Sequence, residues 1–178
     1  FVFTSTAPTV AVGNRVRFSA TVAEFKVGTG AGAVANPLTE LTGISGLSVL
    51  ATGITITPTV IDTFPSAAEG GLERYEGMLV QIPGPLTVDQ NYFLGRYGQL
   101  TVSAGGRIEK PTNRYPAGSP EALAMAEDNA RRTFLLDDGS SLQNPNPTPS
   151  MALDNTVRAG DTITGITGRP ASFSISRT

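Results

Sequence analysis

The sequence predicts a mainly β protein of two small antiparallel β modules, with one helix near residues 120–132. Three observations lead to this fold class. The 178 residues include 20 Gly and 13 Pro but only 16% charged residues, which is typical of many turns and short strands. Residues 14–25 alternate between apolar and polar side chains, as a half-buried strand does. Only residues 119–132 join helix-forming residues to a helix start signal.

The first module is predicted over residues 1–61, and the segment 14–25 is its clearest strand. One face of this strand is apolar and carries Val16, Phe18, Ala20 and Val22. Arg15 and Arg17 lie on the opposite face, because successive side chains of a strand alternate. The other expected elements are short: a strand end at 1–4, strands at 38–43, 47–52 and 54–61, and connections at 27–36 and 62–72. Pro58 confines the last of these strands to an edge, an end or a bulge.

The second module is predicted over residues 72–178. Two apolar runs, Met78–Ile82 and Gln99–Ser103, predict a strand pair, and the connection between them is rich in turn-forming residues. Ser119 is the expected N-cap of the helix, followed by Pro120 at its first position. Further predicted elements are a strand through Ile108, a strand at 133–136, a turn at 137–140, an extended loop at 143–149, and strands at 162–168 and 172–176. Five phenylalanines are expected in the core: Phe18, Phe25, Phe93, Phe134 and Phe173.

Composition also limits the classes of function that fit this chain. The chain has no His and no Cys, so it lacks the usual general base near neutral pH, the commonest zinc ligand and any thiolate. The net charge is -2 and the isoelectric point about 5.1, which disfavours strong autonomous binding to duplex DNA. The cations are 11 Arg and two Lys, and Arg suits stacked and bidentate contacts. No apolar run is long enough to cross a bilayer.

Several segments resemble the ExeM/NucH-type extracellular endonucleases, which are large secreted bacterial nucleases. These segments follow the same order along the chain: VAVGNRVRFSATVAEF at 10–25, TELTGISGLSVLATG at 39–53, LERYEGMLVQIPGPLTVDQNYFLGRYGQLTVSAGGR at 72–107, NARRTFLLDDGSS at 129–141 and VRAGDTITGITG at 157–168. The resemblance covers most of the chain. It implies two OB-like β modules, the first incomplete at its N-terminus, that precede an endonuclease/exonuclease/phosphatase-type catalytic domain.

The same resemblance implies that this chain is a non-catalytic, secreted accessory region. The catalytic domain, with its Mg²⁺ and its catalytic His, Asp, Glu and Asn, belongs to the part of the parent protein that this sequence does not include. The chain begins at Phe1 and not at Met, so we expect it to start inside a longer precursor. Its expected role is to position nucleic-acid substrate or to space the catalytic domain.

Arginine and tyrosine residues are the candidate nucleic-acid contacts. OB-folds hold single strands by base stacking on aromatic side chains and by phosphate contacts. Seven residues fit this chemistry: Arg15, Arg17, Arg74, Tyr75, Arg96, Tyr97 and Arg107. The alternative is that the tyrosines pack in the core while the arginines pair with Glu73, Glu76 or Asp89.

Asp137 and Asp138 are the candidate metal ligands, because adjacent carboxylates before a Gly turn offer oxygen ligands to Ca²⁺. A plain strand-ending turn is the alternative interpretation. Two of the acids Glu73, Glu76 and Glu109 could in principle form a carboxylate pair for acid/base catalysis. Nothing in the sequence fixes their separation, so solvated surface acids are the favoured interpretation.

A second hypothesis from a different class is a structural extracellular module. If its early strands are missing, the first module exposes unpaired strand edges, which attract other strands. The fragment would then form homo-oligomers by edge pairing. An enzyme acting on its own is the third and least favoured interpretation.

Overall fold

The computed structural model describes residues 2–4, 6–26, 37–66, 71–140, 142–152, 154, 156–171 and 174–177, with backbone only from residue 171 onward. The chain divides into two compact units, Phe1–Thr57 and Pro58–Thr178. Each unit has its own sheet. The loop expected at 27–36 and the helical turn expected near 67–70 lie outside the described residues.

Unit 1 is a two-stranded antiparallel ribbon of β1 (Arg15–Phe25) and β2 (Leu38–Ala51). The expected strand at 14–25 is confirmed, but the expected pair of strands at 38–43 and 47–52 is wrong. These segments form one strand that carries three β-bulges, all on β2, since its partner positions advance by an extra residue at each shift in register. Gly43 and Gly46 lie in two of the bulged stretches with φ of 62° and 63°, the left-handed backbone that a bulge can require. The glycines that suggested a break therefore mark bulges.

Unit 1 has no buried residue among those that the structure describes. Val16 and Phe18 are half-buried and line an apolar cleft of about 730 Å³. Val22 and Phe25 are 65% and 53% exposed, so the prediction of Phe25 as a core residue is wrong. The expected strand end at 1–4 is a single parallel bridge between Val2 and Leu41. A two-stranded ribbon of this kind is at best marginally stable alone.

Unit 2 is built on an eight-stranded sheet with the order β3-β4-β9-β10-β7-β6-β5-β8. The strands have these bounds: β3 Thr59–Val60, β4 Val80–Ile82, β5 Leu86–Gln90, β6 Leu100–Ala104, β7 Thr133–Asp137, β8 Thr162–Ile163, β9 Ile166–Ala171 and β10 Ser174–Arg177. The pairs β3–β4 and β7–β10 are parallel, and the other neighbours are antiparallel. The strand expected at 133–136 is confirmed, and Pro58 immediately precedes the edge strand β3, as expected.

The core of unit 2 follows the period of two that a strand with one buried face requires. In β5, β6 and β7 the buried residues alternate with half-buried ones, except at Ser103, which is buried, and at Gln90, which is exposed. The buried apolar cluster contains Ile61, Val80, Ile82, Leu86, Val88, Leu94, Leu100, Val102, Phe134, Leu136 and Ile166. Phe134 is thus a core residue, as predicted, and its ring lies 4.9 Å from that of Phe64. Phe173 lies outside the described residues.

Several predicted elements of unit 2 are corrected by the structure. The runs at 78–82 and 99–103 do form strands, but they do not pair with each other, because β6 lies between β5 and β7. The sequence prediction missed β5, which follows the turn Pro83–Pro85. The strand expected at 162–168 is two strands, β8 and β9, and the residues around Ile108 form a loop. Thr59–Val60, assigned by sequence to the first module, pairs with β4 of unit 2.

The described part of the chain contains two α-helical segments, the single turn α1 (Leu94–Tyr97) and the 12-residue helix α2 (Pro120–Arg131). The predicted start of α2 is confirmed, because the Ser119 hydroxyl accepts the Ala122 N–H at 3.2 Å. At its other end, Arg132 donates to the carbonyl oxygens of Ala104 and Gly106 at 2.6 and 3.1 Å. These bonds fasten the helix to the end of β6.

The protein is therefore mainly β, with mostly antiparallel pairing and one helix longer than a single turn among the described residues, as the sequence predicted. The OB-like character of the two modules stays a prediction. No helix in the described part of the chain has both the length and the apolar character to span a membrane.

Asp128 provides a pH test of how α2 ends. Hydrogen bonds from Arg131 lower the pKa of the Asp128 carboxyl from its ordinary 3.8, and Arg132 lowers it further. A lowered folded-state pKa gives stability that is present above pH 3.8 and is lost as the pH falls through the folded-state pKa. Asp128→Asn should reduce the free energy of unfolding at neutral pH by up to about 1 kcal/mol, since the site is partly exposed.

Urea unfolding of both proteins at neutral pH and at several pH values below 3.8 measures this difference. The two proteins should converge in stability at the acid end. Glu127→Gln, at an exposed position of the same helix, is the control and should match the wild type. A difference for Asp128→Asn that persists unchanged in acid would contradict the assigned ion pairs.

Candidate nucleic-acid interface

The connection between β5 and β6 is short and carries the turn α1. Phe93 is the N-cap residue of α1, and the Tyr97 N–H donates to the Phe93 carbonyl at 2.8 Å. Leu94 is the only described residue of this turn that is buried, and it joins the core. Gly98 ends the turn with a left-handed φ of 70°, as glycine does at many helix ends.

Gly98 also lies against the end of β7. A side chain added at this position would have its Cβ 2.5 Å from the Asp138 Oδ2 and 2.9 Å from the Pro149 ring. The neighbouring Asp137 accepts a hydrogen bond from the Gln99 side chain at 2.6 Å. These contacts place α1 directly beside the turn that follows β7.

Around the turn α1 lies an exposed aromatic cluster, which we define as Tyr92, Phe93, Arg96 and Tyr97. The Tyr92 and Phe93 rings meet edge to face with centroids 4.9 Å apart, and the Phe93 and Tyr97 centroids are 5.9 Å apart. The Arg96 guanidinium carbon lies 5.2 Å from the Tyr97 ring centroid, within cation–π range. Tyr92 is 76% exposed and Phe93 is 41% exposed. The aromatic cluster thus presents aromatic surface and a positive charge to solvent.

Two loops are hydrogen-bonded to the connection that carries the aromatic cluster. The Asn144 N–H donates to the Arg96 carbonyl at 2.8 Å, and the Arg96 side chain donates to the Gln143 side chain at 3.3 Å. On the second loop, the Val157 carbonyl accepts from the Asn91 side chain at 2.6 Å. The segment that carries the aromatic cluster is therefore held by hydrogen bonds from outside its own turn.

Comparisons of the chain with protein-family models, with curated proteins and with solved structures find no match. What the aromatic cluster can do follows from its chemistry. Exposed aromatic rings stack on the faces of unpaired bases, and a neighbouring arginine can contact a phosphate. Such stacking tolerates any base sequence, because every base has a π face.

The other predicted contact residues are distributed over the chain. Arg107 is exposed and lines a polar cavity of about 360 Å³ with Asp89, Gln90, Thr101, Ile108 and Thr133. Arg74 and Tyr75 form their own cation–π pair at 5.7 Å on a short 3₁₀ turn, where Tyr75 packs against the core. Arg15 and Arg17 are exposed on β1 of unit 1. Within unit 2, the structure joins Arg96 and Tyr97 into one cluster.

Asp89 has an unusual environment in the cavity beside Arg107. Its Oδ1 accepts the Ile108 N–H at 2.8 Å. Its Oδ2 is buried and has no hydrogen-bond partner among the described residues. Among the described residues Asp89 forms no ion pair with an arginine, although the alternative interpretation named it, with Glu73 and Glu76, as a partner for the arginines.

The candidate metal ligands are engaged in the turn that follows β7. Asp137 Oδ1 accepts the Gly139 N–H at 2.7 Å, and Asp138 Oδ1 accepts the Ser140 N–H at 2.9 Å. Bonds of this type are the usual role of Asp in turns. No group of three or more potential metal-ligating acids is found in the part of the chain that the structure describes. A Ca²⁺ site at Asp137 and Asp138 stays a prediction.

Other acids of unit 2 also serve local structure. The hydroxyl of Thr156 donates to Asp154 and, together with the Thr156 N–H, lowers the pKa of that carboxyl. Asp161 accepts the Arg158 N–H at 2.8 Å. Glu109 forms an ion pair with Arg114 at 2.6 Å. These carboxylates are thereby assigned to turns and ion pairs.

Sequence reasoning missed half of the aromatic cluster. Tyr92 was not among the predicted contacts, although it stands in the turn-rich connection beside Asn91. Phe93 was predicted as a core residue, and its 41% exposure corrects that assignment. No sequence signal separated Phe93 from the buried Phe134, because the exposure of Phe93 depends on the short turn α1.

Gly98→Ala tests the geometry that supports the aromatic cluster. Both the left-handed backbone and the approach to Asp138 oppose a side chain here, so we expect a loss of about 1–3 kcal/mol in the free energy of unfolding. Urea unfolding measures this loss. Gly84→Ala is the matched control, since its added Cβ meets nothing within 4 Å. Equal stability of the two variants would contradict the described turn.

Proposed function

We propose that this chain is a non-catalytic accessory region of a secreted DNA endonuclease and that the aromatic cluster of unit 2 holds single-stranded nucleic acid. The observation that carries the proposal is the exposure of Tyr92 and Phe93 next to an arginine that stacks on Tyr97. The order of the segments that resemble ExeM/NucH-type nucleases supports the parent protein and its secretion. Together these features favour a part that positions substrate for a catalytic domain elsewhere in the parent.

Single strands are favoured over duplex for two reasons. The net charge of -2 gives little general attraction to a polyanion. Aromatic side chains, in contrast, need unpaired bases whose faces are accessible. The aromatic cluster therefore supports binding in which stacking contributes more than charge.

The absence of His and Cys from the sequence supports a non-catalytic role. An enzyme of this type needs a general base or a metal-activated water, and the resemblance assigns both to a catalytic domain with Mg²⁺. The chain thus contributes binding or spacing, while the parent protein contributes the reaction.

Fluorescence anisotropy with a labelled single-stranded oligonucleotide in EDTA tests the proposal. Stacking on an aromatic side chain contributes about 1–3 kcal/mol per base, so Tyr92→Ala and Phe93→Ala should each weaken binding about 5- to 150-fold. Arg96→Ala should also reduce the slope of log K against log salt by about 0.7, the value for one phosphate contact on a single strand. The two aromatic variants should leave that slope unchanged.

Arg114→Ala and Tyr115→Ala are the matched controls, because they form an exposed Arg–Tyr sequence pair elsewhere on unit 2. Both should bind as the wild type does. Absence of binding at low salt, or equal losses in the control variants, would contradict the proposal and favour a purely structural module. Cleavage of the oligonucleotide after Mg²⁺ is added would contradict the non-catalytic role.

A further inference from the structure

The polar cavity beside Arg107 lies on the face of the unit 2 sheet that is turned away from the core, and we call it the Arg107 cavity. Thr101 of β6 and Thr133 of β7 line it. Both directly neighbour core residues in their strands, so they belong to the opposite face of the sheet. The cavity volume of about 360 Å³ falls within the range of about 300–1,000 Å³ that is usual for small-molecule sites.

A β-bulge explains why two consecutive residues of β5 line the Arg107 cavity. Successive side chains of a regular strand point to opposite faces, yet Asp89 and Gln90 both line it. Val88 pairs with Val102 but Gln90 pairs with Thr101, so two residues of β5 advance against one of β6. A bulge of this kind re-aims a side chain and is common beside active sites. The bulge thus brings a carboxylate and an amide side by side at the cavity.

The backbone on both sides of Arg107 is fastened to the sheet. On one side, the Gly106 carbonyl accepts from the Ser103 hydroxyl at 2.8 Å. On the other side, the Ile108 N–H donates to the Asp89 carboxylate at 2.8 Å. The backbone position of Arg107 is therefore fixed before any ligand binds, which reduces the entropy that binding must lose.

The Arg107 side chain has no hydrogen bond and no ion pair among the residues that the structure describes. Its guanidinium therefore keeps five N–H donors in a planar fork. Asp89 lines the same cavity without pairing to Arg107, so the wall carries one charge of each sign. An anion would meet the charge of Asp89 and a cation that of Arg107. The cavity favours a neutral ligand with acceptors for the guanidinium.

Guanine is the nucleic-acid base that matches this donor set. Its O6 and N7 are two adjacent acceptors, and their contact with two N–H groups of an arginine is the commonest base-specific contact known. Adenine presents one acceptor beside an amino donor, and each pyrimidine presents a single polar group on the same edge. The Gln90 amide both donates and accepts, so it does not oppose guanine. Arg107 therefore decides the preference.

We propose that the Arg107 cavity binds a guanine base whose O6 and N7 accept hydrogen bonds from the Arg107 guanidinium. The base has two sources, a free guanine nucleotide or a guanine within a single strand. Gln90 and Tyr92 are two residues apart, so their Cα atoms lie within about 7 Å, and a strand that stacks on Tyr92 has further bases close to the cavity. The strand source rests on the function proposed for the aromatic cluster, whereas the free nucleotide does not.

Amide chemical shifts of the labelled full chain, titrated with guanosine monophosphate, test the cavity itself. Adenosine monophosphate is the matched ligand, because it has the same ribose and phosphate. One bidentate contact should make the guanine nucleotide bind about 5- to 150-fold more tightly, with shifts at the amides of residues 89, 90, 101, 107 and 108. The analogue 7-deazaguanosine monophosphate lacks N7 and should lose most of this preference.

Arg107→Lys keeps the positive charge but not the planar pair of donors, so it should bind the two nucleotides about equally. Arg114→Ala changes another exposed arginine of unit 2 and should keep the wild-type preference. A preference for guanine that persists in Arg107→Lys would overturn the proposal. Guanine-dependent shifts at amides away from the cavity would overturn it too.

Fluorescence anisotropy with oligothymidine, and with the same oligomer carrying one central guanine, distinguishes the two sources. If the strand supplies the base, the guanine should tighten binding about 5- to 150-fold in the wild type and not in Arg107→Lys. A preference for the free guanine nucleotide without this gain identifies the nucleotide as the source. A wild-type chain that prefers guanine in neither form overturns the proposal.

Failure of the aromatic cluster gives a different result. Tyr92→Ala should weaken binding of both oligonucleotides by the same factor, because Tyr92 does not line the Arg107 cavity. If neither oligonucleotide binds the wild type, the function proposed for the aromatic cluster is wrong, and the nucleotide titration still decides whether the cavity selects guanine.

Discussion

The close approach of Gly98 to the turn after β7 is the constraint on which the candidate site depends. The Asp138 carboxylate and the Pro149 ring occupy the space that any side chain at position 98 would need, and the left-handed backbone there also excludes most other residues. As a result the chain between β5 and β6 reverses through the single turn α1. A turn this short buries only Leu94. Its other side chains, including Arg96 and Tyr97 of the aromatic cluster, are exposed or half-buried.

The two units differ in how many of their described residues are buried. Unit 2 has a continuous core in which β5, β6 and β7 supply alternate buried residues, and Arg132 fastens its helix to the sheet. Burial of this kind is the dominant favourable term in folding. Unit 1 has β-sheet hydrogen bonds but no buried side chain among its described residues. The proposed binding function concerns unit 2, the unit that has a continuous core.

The sequence correctly predicted the elements that depend on residues close together in the chain. The helix α2 follows from its Ser119 cap and Pro120, and β1 and β7 follow from their alternation and composition. Elements that depend on pairing were not predicted. The prediction missed β5, which directly follows Pro83 and Pro85. It also divided β2 into two strands at its glycines, which only the register with β1 identifies as bulge positions.

At the candidate site too, the sequence predicted what depends on residue type and not what depends on the fold. Residue type alone identified Arg96 and Tyr97, because arginine beside tyrosine in a turn-rich segment suits stacking. It could not group them with Tyr92 and Phe93, whose ring contacts depend on α1. It also joined Arg15 and Arg17 to residues of a different unit. Spatial grouping of side chains requires the strand order, which the sequence did not provide.

Amide chemical-shift mapping by NMR tests the central claim most directly. Titration of the labelled chain with a short single-stranded oligonucleotide should shift the amides of residues 91–98 and of Gln143 and Asn144, which are hydrogen-bonded around the aromatic cluster. The amides of residues 112–115, which include the exposed pair Arg114 and Tyr115, should remain in place. Shifts confined to other surfaces, or no shifts at low salt, would contradict the assignment of nucleic-acid binding to this turn.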